Sequence, residues 1–408
     1  MKNRAEAPIF HTAVCAGPKQ PLSLPGNCIR SFPARASHKV LGMEGNVRNP
    51  HIIIRTDGNS DIATGHIRRC LTIADALKER GAEVRFIVSD AESSALLNTL
   101  ASSYPSVCLN TPYDDRTEET GIVRSGSDLY SWADLFLVDS YFVTLDYLQA
   151  LRFCRPVAMI DDLTIGSLPV DLLINYNPDV SAELYSYAGE ILAGTAYAPL
   201  RPQFAGAAGK PYIVKEKAET LFVSTGGSDP YHIAYLTSAA AAELFPRVDV
   251  VCGTYSPDYE ALLALSAEHP GIQVRSSVDD MAGLMAEADL AVTAGGTTLY
   301  ELAAVGVPSV IYSMSDDQAI DCALFKEKGL GFYVGDVRPK AEGGGENSPA
   351  PDNSADPAVI RALLDKLSGL KDDRPARQRA SRRMRERVDG KGAGRIADAL
   401  FDLACVMM

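Results

Sequence analysis

A histidine stands at a helix start inside "RTDGNSDIATGHIRRC" (Arg55–Cys70), after the apolar run "HIIIRT" and a polar loop. The positive end of a helix dipole disfavours the charged form of histidine. Such a placement makes His66 a neutral imidazole that can take a proton near pH 7, the task of a general base. Asp57, Asp139 and the pair Asp161–Asp162 also follow apolar runs directly. Those positions line the ligand edge of an open parallel sheet. Each alone more often caps a helix or closes a turn.

The second half of the chain carries glycine turns instead of acids. "FVSTGGSDPYHIA" reads as a strand, a turn at Gly226-Gly227 and a helix with Pro230 at or near its first position. Backbone N–H groups there, with the helix dipole, suit a phosphate. The Lys-Ser/Thr pair of a Walker loop is missing. "VTAGGTTLYELAAVGVPSVIY" repeats the arrangement through Gly295-Gly296 and adds Glu301 in the second helical turn. A carboxylate there can accept both vicinal hydroxyls of a ribose, although most helical glutamates are simply solvated. Asp317 and Gln318 open the next helix, where polar residues usually serve as caps. His232 reads as a helix-start residue without chemistry.

These residues need elements to hold them. From His51 onward, short apolar runs alternate with amphipathic stretches: "HIIIRT", "AEVRFIVSD", "DLFLVDS", "RPVAMIDD", "VDLLINY", then "TLFVS", "VDVVCG", "DLAVTAGG", "PSVIY" and "GFYVGDV". Strands of about five residues, apolar on both faces, predict parallel sheets with crossover helices. The expected fold is α/β, two Rossmann-like domains facing a cleft: residues 49–215, a linker from 193 to 219, and residues 216–408. Residues 1–48, poor in acids and without periodicity, read as a disordered extension or as sequence upstream of a start at Met43. The polar, low-complexity segment 338–357 reads as a disordered loop. The basic run "RQRASRRMRER" reads as a solvated helix face.

Composition narrows the classes. A net charge of −13 without a long basic face argues against nucleic acid as a partner. No apolar run reaches the roughly 18 residues of a membrane span. Eight cysteines with no C-x-x-C pair read as reduced, cytoplasmic thiols rather than a zinc site or a disulfide framework.

Taken in order, "IRTDGNSDIATGHIRRCLTIADAL", "VDSY", "MIDDL", "GTAYAPLRPQF", "GGSDP", "AGGTTLYELAAVGVPSVI", "DDQ" and "DGKGAGRI" resemble the UDP-2,4-diacetamido-2,4,6-trideoxy-β-L-altropyranose hydrolases of pseudaminic acid biosynthesis. The resemblance spans about residues 50–400, apart from 338–357. It implies the GT-B architecture, a kinship with the transferase that adds N-acetylglucosamine to lipid-linked peptidoglycan precursors, and a hydrolase that uses neither metal nor cofactor. It also implies His66 as the base, with Asp57, Gly65, Tyr141 and Asp162 around the sugar. Thr225, Gly226, Gly227, Ser228, Thr297, Glu301, Asp317 and Gln318 would hold the rest of a UDP-sugar. The family's Asn-Gln pair reads Asp317-Gln318 here, and aspartate accepts hydrogen bonds but donates none as an amide does. Ala63 stands where a second glycine is common, a change of little cost if its φ is negative. Asp57 or Asp162 is the expected carboxylate behind His66. A GT-B transferase using a UDP-sugar donor, and a catalytically silent nucleotide-sugar-binding protein, are the alternative readings.

Overall fold

A computed structural model describes residues 48–406 apart from 164–165, 167, 186–188, 228, 254–255 and 340–353. Ser228, the extension expected before Arg48 and most of the loop expected over 338–357 therefore lie outside the described residues.

The first sheet contains β1 (His51–Thr56), β2 (Glu83–Val88), β3 (Ser106–Cys108), β4 (Leu135–Asp139), β5 (Val157–Ile160), β6 (Leu172–Asn175) and β7 (Glu190–Ala193). Its helices are α1 (Gly65–Glu79), α2 (Ala91–Ala101), α3 (Thr117–Arg124), α4 (Asp128–Ser131) and α5 (Leu145–Cys154). All pairings are parallel, in the order β3-β2-β1-β4-β5-β6-β7. After α6 (Pro202–Ala208) comes the second sheet: β8 (Thr220–Ser224), β9 (Arg247–Val251), β10 (Ile272–Arg275), β11 (Leu290–Ala294), β12 (Ser309–Ser313) and β13 (Phe332–Asp336). It too is parallel, in the order β10-β9-β8-β11-β12-β13. Around it lie α7 (Ile233–Ala241), α8 (Tyr259–Glu268), α9 (Met281–Ala286), α10 (Thr297–Val305) and α11 (Asp316–Glu327). The chain ends with α12 (Pro357–Asp372), α13 (Arg374–Arg387) and α14 (Gly392–Cys405).

The strand sequences explain the layers. β4, β8, β11 and β12 are buried at every residue, as sheets covered by helices on both faces require. On α1, Ile67, Cys70, Leu71, Ala74 and Leu77 recur at helical spacing and are all buried. Strand order reverses between β1 and β4 in one sheet and between β8 and β11 in the other. Loops leaving those strands diverge and open the crevice where ligands of such sheets sit.

The two sheets share one continuous apolar core, running from Ile52 and Leu77 to Phe222, Tyr300 and Leu400. Tyr176 meets Tyr300 edge-on at 5.2 Å between ring centroids, and Tyr300 meets Phe325 at 5.0 Å. α14 returns to pack on α1, where Arg80 donates to the Gly394 carbonyl (2.9 Å) and pairs with Asp398 (2.7 Å). α14 starts so close to the first domain that a Cβ on its first residue, Gly392, would fall 2.1 Å from the Ala198 carbonyl oxygen. The segment expected as a linker is thus a built part of the core. It begins inside β7, contains α6, and holds Arg387 through Thr195 Oγ1 (2.7 Å to the Arg387 carbonyl).

The helices differ from the sequence reading in places. α7 begins at Ile233 instead of directly at or after Pro230, because Asp229 accepts from the N–H groups of Ile233 (3.0 Å) and Ala234 (2.7 Å) around a left-handed His232. The stretch 117–131, unassigned in sequence, forms α3 and α4 around the buried Glu119.

Candidate active site

His66 is the second residue of α1, directly after the loop that leaves β1. β4 ends in Asp139, so the parallel register places that carboxylate beside the start of α1. His66 Nδ1 lies 2.9 Å from Asp139 Oδ1. An ionised carboxylate only accepts, so Nδ1 carries the proton and Nε2 is left as the basic nitrogen. Asp139 therefore orients His66, in place of Asp57 or Asp162.

Arg69, one turn further along α1, completes the arrangement. It donates to Asp139 through Nε (2.7 Å) and Nη2 (2.5 Å) and to Asp162 through Nη1 (2.6 Å), and it also bonds the Tyr176 hydroxyl. Burial would raise the Asp139 carboxyl, but Arg69 and His66 outweigh burial and hold it well below the ordinary carboxylate range. A carboxylate shared with an arginine thus stands against the imidazole, beside the helix dipole. Arg69 lies three residues after His66 on the same helix face, a spacing visible in the sequence. Asp139 was visible as a strand-end acid; its partner was not.

Tyr141 packs edge-on against His66, with centroids 4.5 Å apart. Its hydroxyl lies 3.4 Å from Asp162 and 3.5 Å from Asp317, which opens α11 on the other side of the crevice. A small pocket beside His66 is lined by Asp57, Ile62, Asp139, Ser140, Tyr141 and Phe142 as well. Asp57 reaches that wall, but its carboxylate is committed elsewhere. It pairs with Arg55 (2.8 Å) and Arg116 (3.0 Å) and accepts from the Ser89 N–H (2.6 Å), all buried. Asp57 is better described as a support for the β1 loop than as a substrate ligand.

From the second sheet, Gly226 and Gly227 follow β8. Gly226 has φ +85°, which a Cβ would strain. Gly227 comes against Thr64: a Cβ there would lie 3.0 Å from Thr64 Oγ1, so the glycine loop and the start of α1 face each other directly. Gly65 itself is exposed, with open space around it. Thr225 is fully buried, and its Oγ1 has no hydrogen-bond partner among the described residues. Thr297 is the first residue of α10, whose N-terminus has no side-chain cap. Glu301, one turn on, pairs with Arg201 at 3.0 Å. Burial raises its carboxyl while Arg201 and Arg68 pull it down. Gln318 turns back to accept from the Met314 N–H (3.1 Å). One turn beyond Asp317, burial pushes the Asp321 carboxyl far up, assisted by Asp162 and Asp317 and opposed by Arg69.

The structure thus gathers His66, Tyr141, Asp162 and Asp317 around one crevice and sets Gly227 against Thr64, just before Gly65. Ala63 overturns one expectation: its φ is +57°, so the missing glycine leaves an alanine in the left-handed region, strained by about 1 kcal/mol. Among the described residues, no group of three or more His, Cys, Asp or Glu is placed to hold a metal ion, and no helix is long and apolar enough to cross a membrane.

No family model matches the chain. It is 26% identical over 362 residues to the spore coat polysaccharide biosynthesis protein SpsG of Bacillus subtilis (strain 168), across 86% of this chain and 98% of that one. Over 259 residues it is 30% identical to the UDP-N-acetylglucosamine–N-acetylmuramyl-(pentapeptide) pyrophosphoryl-undecaprenol N-acetylglucosamine transferase of Synechococcus sp. (strain CC9902), across 58% of this chain and 67% of that enzyme. It is 22% identical to the UDP-2,4-diacetamido-2,4,6-trideoxy-beta-L-altropyranose hydrolase of Campylobacter jejuni over 258 residues, across 61% of this chain and 86% of that one. Among solved structures, MurG of Acinetobacter baumannii superposes with a TM-score of 0.61 at 16% identity, covering 86% of this chain and 99% of that one. UGT89C1 of Arabidopsis thaliana, solved with UDP, gives 0.58 at 14% identity, covering 88% and 100%. The two parallel sheets and the superposition show the GT-B fold, and the match to the transferase shows the family: the chain belongs to that of the N-acetylglucosamine transferase.

Proposed function

We propose that the protein hydrolyses a UDP-linked sugar of the diacetamido-trideoxy type, with His66 as general base. The observation that carries this reading is the Asp139–His66 pair at the switch-point crevice, opposite the Gly226-Gly227 loop. In the proposed reaction a water beside His66 attacks the anomeric carbon and gives its proton to Nε2. The bond from that carbon to the phosphate oxygen breaks, and UDP leaves with the electron pair. N–H groups of the glycine loop and of the α10 N-terminus would hold the leaving diphosphate. Attack opposite the leaving group inverts the anomeric centre. In this reading residues 49–215 hold the sugar and 216–408 the nucleotide. The resemblance to the Campylobacter hydrolase supports the substrate class.

A second reading, transfer of the sugar to an acceptor, is favoured by the higher identity to the N-acetylglucosamine transferase. One experiment separates them. The protein is incubated with a panel of UDP-diacetamido sugars without acceptor, and free UDP is followed. Hydrolysis predicts turnover in water alone, while transfer predicts release only with an added acceptor. His66→Ala should abolish turnover and keep UDP binding. Near-normal turnover in that variant would falsify the base assignment, and no turnover of any sugar in the wild type would leave a binding protein.

A further inference from the structure

Away from the crevice, a groove of about 300 Å³ is bounded by Lys326, Lys366, Arg379 and Arg383, with Phe332 and Tyr333 in its wall. It lies at the edge strand of the second sheet, between the last turn of α11, β13, α12 and α13. Lys326 is nine residues along α11 from Asp317, roughly 13 Å along the helix axis.

The arginines of α13 sort themselves. Arg374 pairs with Glu216, Arg377 donates to the Leu370, Lys215 and Glu216 carbonyls, and Arg382 pairs with Glu386. Arg385 donates to the Val305, Ala208 and Lys210 carbonyls, and Arg387 to that of Pro178. Only Arg379 and Arg383 have no such partner among the described residues, and both face the groove. Lys326 and Lys366 on the opposite walls also lack one. Arg379 and Arg383 are a like-charged i,i+4 pair, which costs the helix stability. The guanidinium of Arg383 lies over Gly329, where a Cβ would come 2.0 Å from Nη1. Four unneutralised cations converge on one concavity in a protein of net charge −13.

We propose that this groove binds a small molecule carrying a di- or triphosphate, its phosphoryl oxygens taken by the four cations and its apolar part laid against Phe332 and Tyr333. Arginine and lysine together supply charge-assisted donors for several phosphoryl oxygens. The size is that of a site for one small ligand, and the overall negative charge opposes a long polyanion.

The test is calorimetric titration of the full chain with inorganic tripolyphosphate, in excess UDP so that the proposed crevice site is already occupied. The comparison uses Arg379→Glu/Arg383→Glu, Lys326→Glu/Lys366→Glu and, outside the groove, Arg382→Glu. All these side chains are exposed, and thermal melts check that each variant folds. The wild type should bind saturably at one groove site. Each double variant should bind roughly tenfold more weakly or worse, and Arg382→Glu as the wild type does. Absence of saturable binding, binding unchanged in both double variants, or equal weakening by Arg382→Glu would each overturn the proposal. If one pair fails to fold, the other decides alone.

Discussion

Replacing Asp139 by asparagine tests the proposed chemistry at its most informative point. The carboxylate is 1% exposed and accepts from His66 Nδ1 and twice from Arg69. Asparagine keeps the shape, removes the charge, and offers an NH2 group that can turn toward Nδ1. That would favour the tautomer with its proton on Nε2, which cannot take one from water. General-base assistance is worth about 10²–10⁴ in rate, so kcat should fall by that range while UDP affinity stays within a few-fold. Stability has its own expectation. Removing one partner of a buried pair costs about 3–5 kcal/mol, and the lower end applies because Asp162 and Tyr176 still hold Arg69. UDP release is measured alongside urea unfolding, with Asp162→Asn as the comparison. Asp162→Asn loosens Arg69 but leaves the His66 tautomer alone, so it should lose much less kcat. A folded Asp139→Asn protein with wild-type turnover, or equal losses in the two variants, would refute the reasoning.

Other outcomes follow from single residues. Gly226→Ala puts a Cβ on a backbone with φ +85° in open space, so the cost is purely conformational. It should lower stability by about 1–2 kcal/mol and weaken UDP binding in a titration, with little effect on the secondary-structure spectrum. Ala63→Gly should be neutral to stabilising by up to about 1 kcal/mol in urea melts, because relief of the left-handed alanine exceeds the added chain entropy. Burial pushes the Asp229 carboxyl up to about 6, against the Ala234 and Ile233 N–H groups, with Asp258 raising it and His232 lowering it. The folded state then holds the proton more tightly than the unfolded chain. This group's contribution is complete below pH about 4 and is lost as pH rises through about 6, a swing of about 3 kcal/mol. Asp229→Asn should flatten that part of the stability profile; an unchanged slope between pH 4 and 7 would contradict it.

The sequence by itself determined the two sheets, because strands buried on both faces must be written almost entirely in apolar residues, as "DLFLV" and "DLAVT" are. It also determined which positions end those strands, and hence that His66, Asp139, Gly226 and Thr297 would lie at the carboxyl edges of the sheets. Local patterns could not show that Pro230 precedes its helix, since the start is set by Asp229 reaching over a left-handed His232. Nor could they show that the glycine start of α14 closes on the Ala198 backbone, nearly 200 residues earlier in the chain. Which acid serves His66 was decided only in three dimensions. Asp57, Asp139 and Asp162 read alike in one dimension, each an acid after an apolar run. Parallel pairing of β1 with β4 brings Asp139 to the imidazole, while Arg55 and Arg116 take Asp57 and Arg69 takes Asp162. Strand identity is a local property of side-chain pattern; a charge's partner depends on which elements become neighbours.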